Sequence, residues 1–199
     1  MDFQSTTPAI VRAIRQRDLL NTWLRLYSRE KKLPRIEDYE PSRLKEERDD
    51  LVYYDVDNAG ASPVFIIQSE GTRMSRAYGQ VGKGRALHEY IGPRLAALVL
   101  PIYELCLSRG RPVYTVDQLQ DADGRPVEYE RLLMPFGRHR EVRQIIGSLK
   151  TISVDGSFEI RDLLSRADVV SRPAVRALID KELFHRAPNR VEDNDLDFQ

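Results

Sequence analysis

The run from Pro112 to Ser153 constrains this chain most. It holds three stretches rich in β-branched and aromatic residues: PVYTVDQLQ (112–120), VEYERLLMPF (127–136) and VRQIIGSLKTIS (142–153). The first two are separated by DADG at 121–124, a strong hairpin signal, and residues 137–141 supply the next turn. Strands joined by such short turns pair as antiparallel neighbours, so 112–153 is read as a meander.

The upstream chain supplies a second strand pair. LVYYDVD (51–57) and VFIIQSEG (64–71) flank the turn-forming NAGASP (58–63) and read as a hairpin. Between hairpin and meander, residues 72–84 are polar and glycine-interrupted, as in small helical turns. Arg85 to Ser108 then carries an apolar face at helical period, with Pro93 opening the main helix, Pro101 predicted to kink it and Gly110 to stop it. Thr7–Pro8 has the form of a helix start, and Ile10, Val11, Ile14, Leu20, Trp23, Leu24 and Tyr27 follow at mostly helical spacing. One amphipathic helix over about 8–30 is expected, its stripe covering either this chain's sheet or a second subunit. The polar connector 31–50 has room for one short helix near Pro41–Glu47. Two strands, helices, then three strands argue for an α+β fold with one antiparallel sheet.

Composition narrows the function classes. The chain has 199 residues, enough for a core without staples. Net charge is zero, so no global field draws it to nucleic acid or acidic lipid. One cysteine, Cys106, excludes an internal disulfide, and three scattered histidines argue against a metal cluster. The N-terminus lacks the apolar core of a signal peptide, and no apolar run is read as long enough to span a bilayer, so a cytoplasmic protein is expected. No catalytic constellation stands out, and the expectation is that the chain is not an enzyme. YGQVGKG (78–84) has the look of a phosphate loop, but Gly84 stands where the hydroxyl after the lysine is required, and position 77 is alanine.

The order of elements resembles the PAS domain, a five-stranded antiparallel sheet with helices on one face. LVYYDVD, FIIQSEGTRMSRAYG, SRGRPVY, RPVEYERLLMPF and VRQIIGSL resemble the bacterial, mainly alphaproteobacterial, PAS family-5 group over about residues 17–153. The resemblance divides the chain into an N-terminal helix and connector (1–50), a PAS-like sensory core (51–153), a C-terminal helical extension (154–187) and an acidic tail (188–199). It implies a sensory or regulatory role, with a small ligand, a signalling partner or a homodimer as the means.

Flavin photosensors of this fold carry a reactive cysteine in the region that reads TRMSRAYG here, which has none. Haem-binding members use an axial histidine, and His88 lies in that neighbourhood, although a polar helix residue is the plain alternative. The cofactor is left unknown. Candidate ligand-binding residues are Arg73, Tyr78, His88, Tyr90, Tyr103, Tyr114, Tyr129 and Arg131, with packing the favoured alternative for the strand aromatics. Arg131 shares a strand face with Tyr129 and Leu133, and would pair with Glu128 or Glu130 only if the pleat allowed it.

Residues 160–186 resemble a helix-turn-helix, with Arg172 and Arg176 opening a recognition helix. Three functions are therefore carried forward: a PAS-like module that senses a ligand or partner and signals through its flanking helices, a one-component transcription regulator that binds DNA, and a ligand-free dimerisation module.

Overall fold

A computed structural model of the protein describes residues 2–42, 44–165 and 170–182. The fold is α+β. Its elements are β1 (Gln4–Thr6), α1 (Ile14–Glu30), α2 (Leu44–Glu47), β2 (Leu51–Asp57), β3 (Val64–Glu70), α3 (Thr72–Tyr78), α4 (Leu87–Arg109), β4 (Val113–Gln120), β5 (Pro126–Arg138), β6 (Glu141–Ser153) and β7 (Arg172–Ile179). The seven strands form one sheet in the order β1-β7-β4-β5-β6-β2-β3. Its middle is the predicted hairpin β2–β3 and meander β4–β5–β6, all antiparallel, joined where β2 pairs with β6.

Alternation along the strands sorts side chains between two layers. On one side Met134 meets the Tyr39 hydroxyl and Lys150 meets Glu47. On the other, Tyr129 and Arg131 lie under Val99 and Ile102 of α4. Helix α1 thus covers its own sheet, which decides between the two destinations open to its apolar stripe. Leu19, Leu20, Trp23 and Leu24 are fully buried.

A proline in the sheet's longest stretch shows how the layer is fitted. Pro135 has no N–H to give, yet it sits inside β5. It pairs with Ile145 on β6, while β4 begins only opposite Leu133. The flank beyond that point has no β4 neighbour to lose. There the Pro135 carbonyl accepts the Trp23 indole N–H at 2.7 Å, and the connector carbonyl of Pro34 accepts the Gly137 N–H at 3.0 Å.

Two expectations are corrected. The first helix begins at Ile14, because Pro8–Ile10 is only a single 3-10 turn and Thr7 makes no side-chain cap. Extended backbone at Val11 and Ala13 lets Val11 enter the core, while Gln4–Thr6 joins the sheet parallel to β7. Next, the recognition helix expected after Ser171 is strand β7, paired antiparallel with β4. The first motif helix fails as well: residues 161–165 are turns, and the remaining parts of the helix-turn-helix at 166–169 and 183–186, like the tail, lie outside the described residues. Helix α4 has the length and composition of a membrane span, but such a helix is equally found in the core of a folded domain. It is interrupted at Gly92, whose φ of 75° and ψ of 163° are open to glycine and set up Pro93 to restart the helix. Its Tyr90, Ile91, Val99, Ile102, Tyr103 and Cys106 enter the core, as in the central helix of a globular domain.

Candidate functional site

The α4 side of the sheet carries a buried cluster of Asp117, Arg131 and Thr115. On β5, period-two alternation puts Tyr129 and Arg131 on this face; on β4 it does the same for Thr115 and Asp117. The hairpin register sets Thr115 opposite Arg131 and Asp117 opposite Tyr129, so Asp117 is the diagonal neighbour of Arg131. Arg131 donates to the Thr115 hydroxyl at 3.1 Å and pairs with the Asp117 carboxylate at 3.5 Å. Arg176, from β7, pairs with the other oxygen of Asp117 and donates to the Val116 and Val175 carbonyls. Side-chain exposure is 4% for Arg131, 6% for Asp117 and 11% for Arg176, so three charges share a nearly dry site. Both arginine Nε groups lack a hydrogen-bond partner.

Tyrosines surround this cluster. The Arg131 guanidinium sits 5.0 Å from the Tyr129 ring centre. Tyr103 donates its hydroxyl to that of Tyr54 at 3.0 Å, and Tyr78 packs on Tyr90 with ring centres 4.8 Å apart. Burial raises the hydroxyls of Tyr54, Tyr78, Tyr103 and Tyr129, which stay neutral donors at ordinary pH. Burial works against the charge on Arg131, but Tyr129, Tyr103 and Asp117 outweigh it, and its pKa is raised further.

Two cavities remain between α4 and the sheet. One, of about 60 Å³, is walled by Leu95, Leu98, Val99 and Ile102 and floored by Asp117, Tyr129, Arg131 and Arg176. The other, about 10 Å³, lies among Tyr54, Tyr78, Tyr103 and Arg131. Pockets for drug-sized ligands run to about 300–1,000 Å³. A flavin or haem does not fit here, and α3 offers no cysteine to bond a flavin. Cys106 is buried, and burial raises its thiol far above the reactive range.

The predicted residues separate. Tyr78, Tyr90, Tyr103, Tyr129 and Arg131 come together in this cleft. Tyr114 does not: it lies on the α1 side, where its hydroxyl accepts the Arg12 backbone N–H at 3.4 Å. Glu128 and Glu130 are also on that side, so Arg131 pairs with neither. Arg73 is half-exposed and gives its guanidinium to Asp50 at 2.9 Å. His88 is exposed in the first turn of α4 and lines neither cavity. Arg172 is exposed at the start of β7, whereas Arg176 joins the cleft. Asp117 and Thr115 were missed, although the DADG turn and strict alternation already place both beside Arg131 in the sequence. The glycine-rich loop is no phosphate cradle. Its Gly82 N–H donates at 2.7 Å to Glu70, a carboxylate of the chain itself. Among the described residues no group of His, Cys, Asp and Glu could hold a metal ion.

No family model matches this chain, and no curated protein matches it. Two solved structures are similar to part of it. One is a light-oxygen-voltage domain studied with a flavin analogue, at 16% identity over 56% of this chain and 83% of its own, with a TM-score of 0.40. The other is the LOV protein of Rhodobacter sphaeroides, at 16% identity over 58% of this chain and 68% of its own, with a TM-score of 0.37.

Proposed function

We propose that this protein is a non-enzymatic, cytoplasmic sensory or regulatory module of the PAS family-5 kind. It takes a small ligand in the cleft between α4 and the sheet, and passes the signal to a homodimer contact or a protein partner through its flanking segments. One observation carries the reading: a charged guanidinium, Arg131, is held in the middle of the sheet under a ring of tyrosines, with its Nε unpaired beside a cavity. A core that only had to be stable would gain more from an apolar side chain there.

Native mass spectrometry of the purified protein, with an absorbance spectrum of the same sample, tests it. A bound mass released on denaturation is expected, with no visible band. A second reading, the ligand-free dimerisation module, is favoured by how far the tyrosine rings fill the cleft. A bare dimer, with no thermal response to any small-molecule panel, would make that reading the correct one.

A further inference from the structure

The ligand's chemical class follows from the charge and volume of the larger cavity, and rests on the sensory reading. Two guanidiniums, Arg131 and Arg176, share one carboxylate, Asp117. Among the described residues the cluster is one positive charge in excess, inside a site where each side chain is nearly nine-tenths buried or more. Buried charge without a counter-charge is costly, and a guanidinium satisfies carboxylates through its N–H fork. Each arginine keeps an unused Nε–H. The space beside them is small, about 60 Å³, room for only a few heavy atoms. Its opposite wall, Leu95, Leu98, Val99 and Ile102, is wholly aliphatic.

We infer that this cleft binds a short-chain monocarboxylate, an acetate- or propionate-sized anion. Its carboxylate takes the Nε–H groups of Arg131 and Arg176, and its alkyl end lies against the leucines and valine of α4. Binding neutralises the cluster and ties β7 to the centre of the sheet. Among the described residues the other acid lining a cavity here is Glu70, in the smaller one, where one of its oxygens accepts from Ser75 and Gly82.

The test is a thermal and calorimetric titration of the full chain with sodium acetate and sodium propionate, against acetamide and sodium chloride at equal ionic strength. Saturable stabilisation by the carboxylates alone is expected. It should weaken by at least about tenfold in Arg176→Met and Arg131→Met, the loss typical of a hydrogen bond to a charged group. Leu98→Trp closes the cavity from the helix side and keeps both arginines, so it should abolish binding even if Arg131→Met fails to fold. Equal stabilisation by chloride would overturn the inference, as would full binding in Leu98→Trp. Acetamide binding without acetate binding would overturn the charge assignment and leave the sensory reading standing. No response to these probes, with another bound mass found by native mass spectrometry, would do the same; no response and no bound mass would remove both.

Discussion

The two faces of the sheet are built on different plans. The α1 face is filled: Trp23, Leu19, Leu20 and Leu24 are fully buried, Trp23 stacks on Tyr27 at 5.6 Å, and its indole also closes the free flank of β5. Its charges sit mostly in a paired group in which Lys150 meets Glu47 at 2.7 Å and Asp50 at 3.0 Å. The α4 face also buries large rings, but among the described residues it leaves space beside an excess of positive charge with two N–H groups unpaired, whereas the atoms left unpaired on the α1 face are oxygens of Gln16, Ser148 and Glu130. On the function proposed above, stability and recognition fall on opposite sides of one sheet.

The contrast is open to direct attack. Trp23→Ala should cost about 3–5 kcal/mol in urea unfolding, the usual loss for a buried aromatic. Tyr103→Phe, on the opposite face, removes only a hydroxyl pair and should cost about 1 kcal/mol. Comparable losses would mean that the faces are not specialised. Within the α4 face the two ends of one ion pair should behave unequally. Asp117→Asn leaves two buried guanidiniums without a carboxylate and should cost about 3–5 kcal/mol, as when one partner is taken from a buried pair. Arg131→Met leaves Asp117 paired with Arg176 and no buried charge alone, and should cost less, about 2 kcal/mol. The reverse order would show that Arg131 is structural.

Gly71 tests the junction between the layers. A Cβ there would run into the Asp49 and Arg48 carbonyls, which are backbone and cannot rotate away. Gly71→Ala should therefore cost about 1–3 kcal/mol by overpacking, read from thermal unfolding. The smallest effect is one of pH. Glu130 lies buried on the α1 face; burial raises its pKa, although Tyr114 and Arg12 pull the other way. A carboxyl raised on folding adds stability below its unfolded pKa of about 4.3, and that stability is lost as pH rises through the folded value. Glu130→Gln should gain on the natural protein across that window and hold a constant lead above it. A lead that shrank with rising pH would reverse the assignment.

Much of this was legible in local chemistry. The DADG turn marked the β4–β5 hairpin, and Pro93 marked the start of the main part of the long helix. The fate of RPAVRALI was not legible. Val175, Leu178 and Ile179 fit a helical stripe, while Val175, Ala177 and Ile179 fit a strand face, and eight residues are too few for period to decide. The outcome was set by β4, whose outer edge needed a hydrogen-bonding neighbour. Tyr114 was misplaced by a related ambiguity: its ring type gave no sign of which face it would occupy, and only pairing the parity of 113–120 with that of 127–136 separates it from Tyr129. Thr7–Pro8 misled because a capping signature starts a turn, and whether the turn continues depends on what the next residues must bury.

One carboxylate touches both sides of this division. Asp50, the residue before β2, receives Arg73 from α3 at 2.9 Å and Lys150 from the opposite layer at 3.0 Å, both on the same oxygen. The sheet keeps the two layers apart sterically, yet they share a counter-ion. A displacement of α3 that draws Arg73 outward would leave Asp50 to Lys150, so a change on one face of the sheet has an electrostatic route to the other.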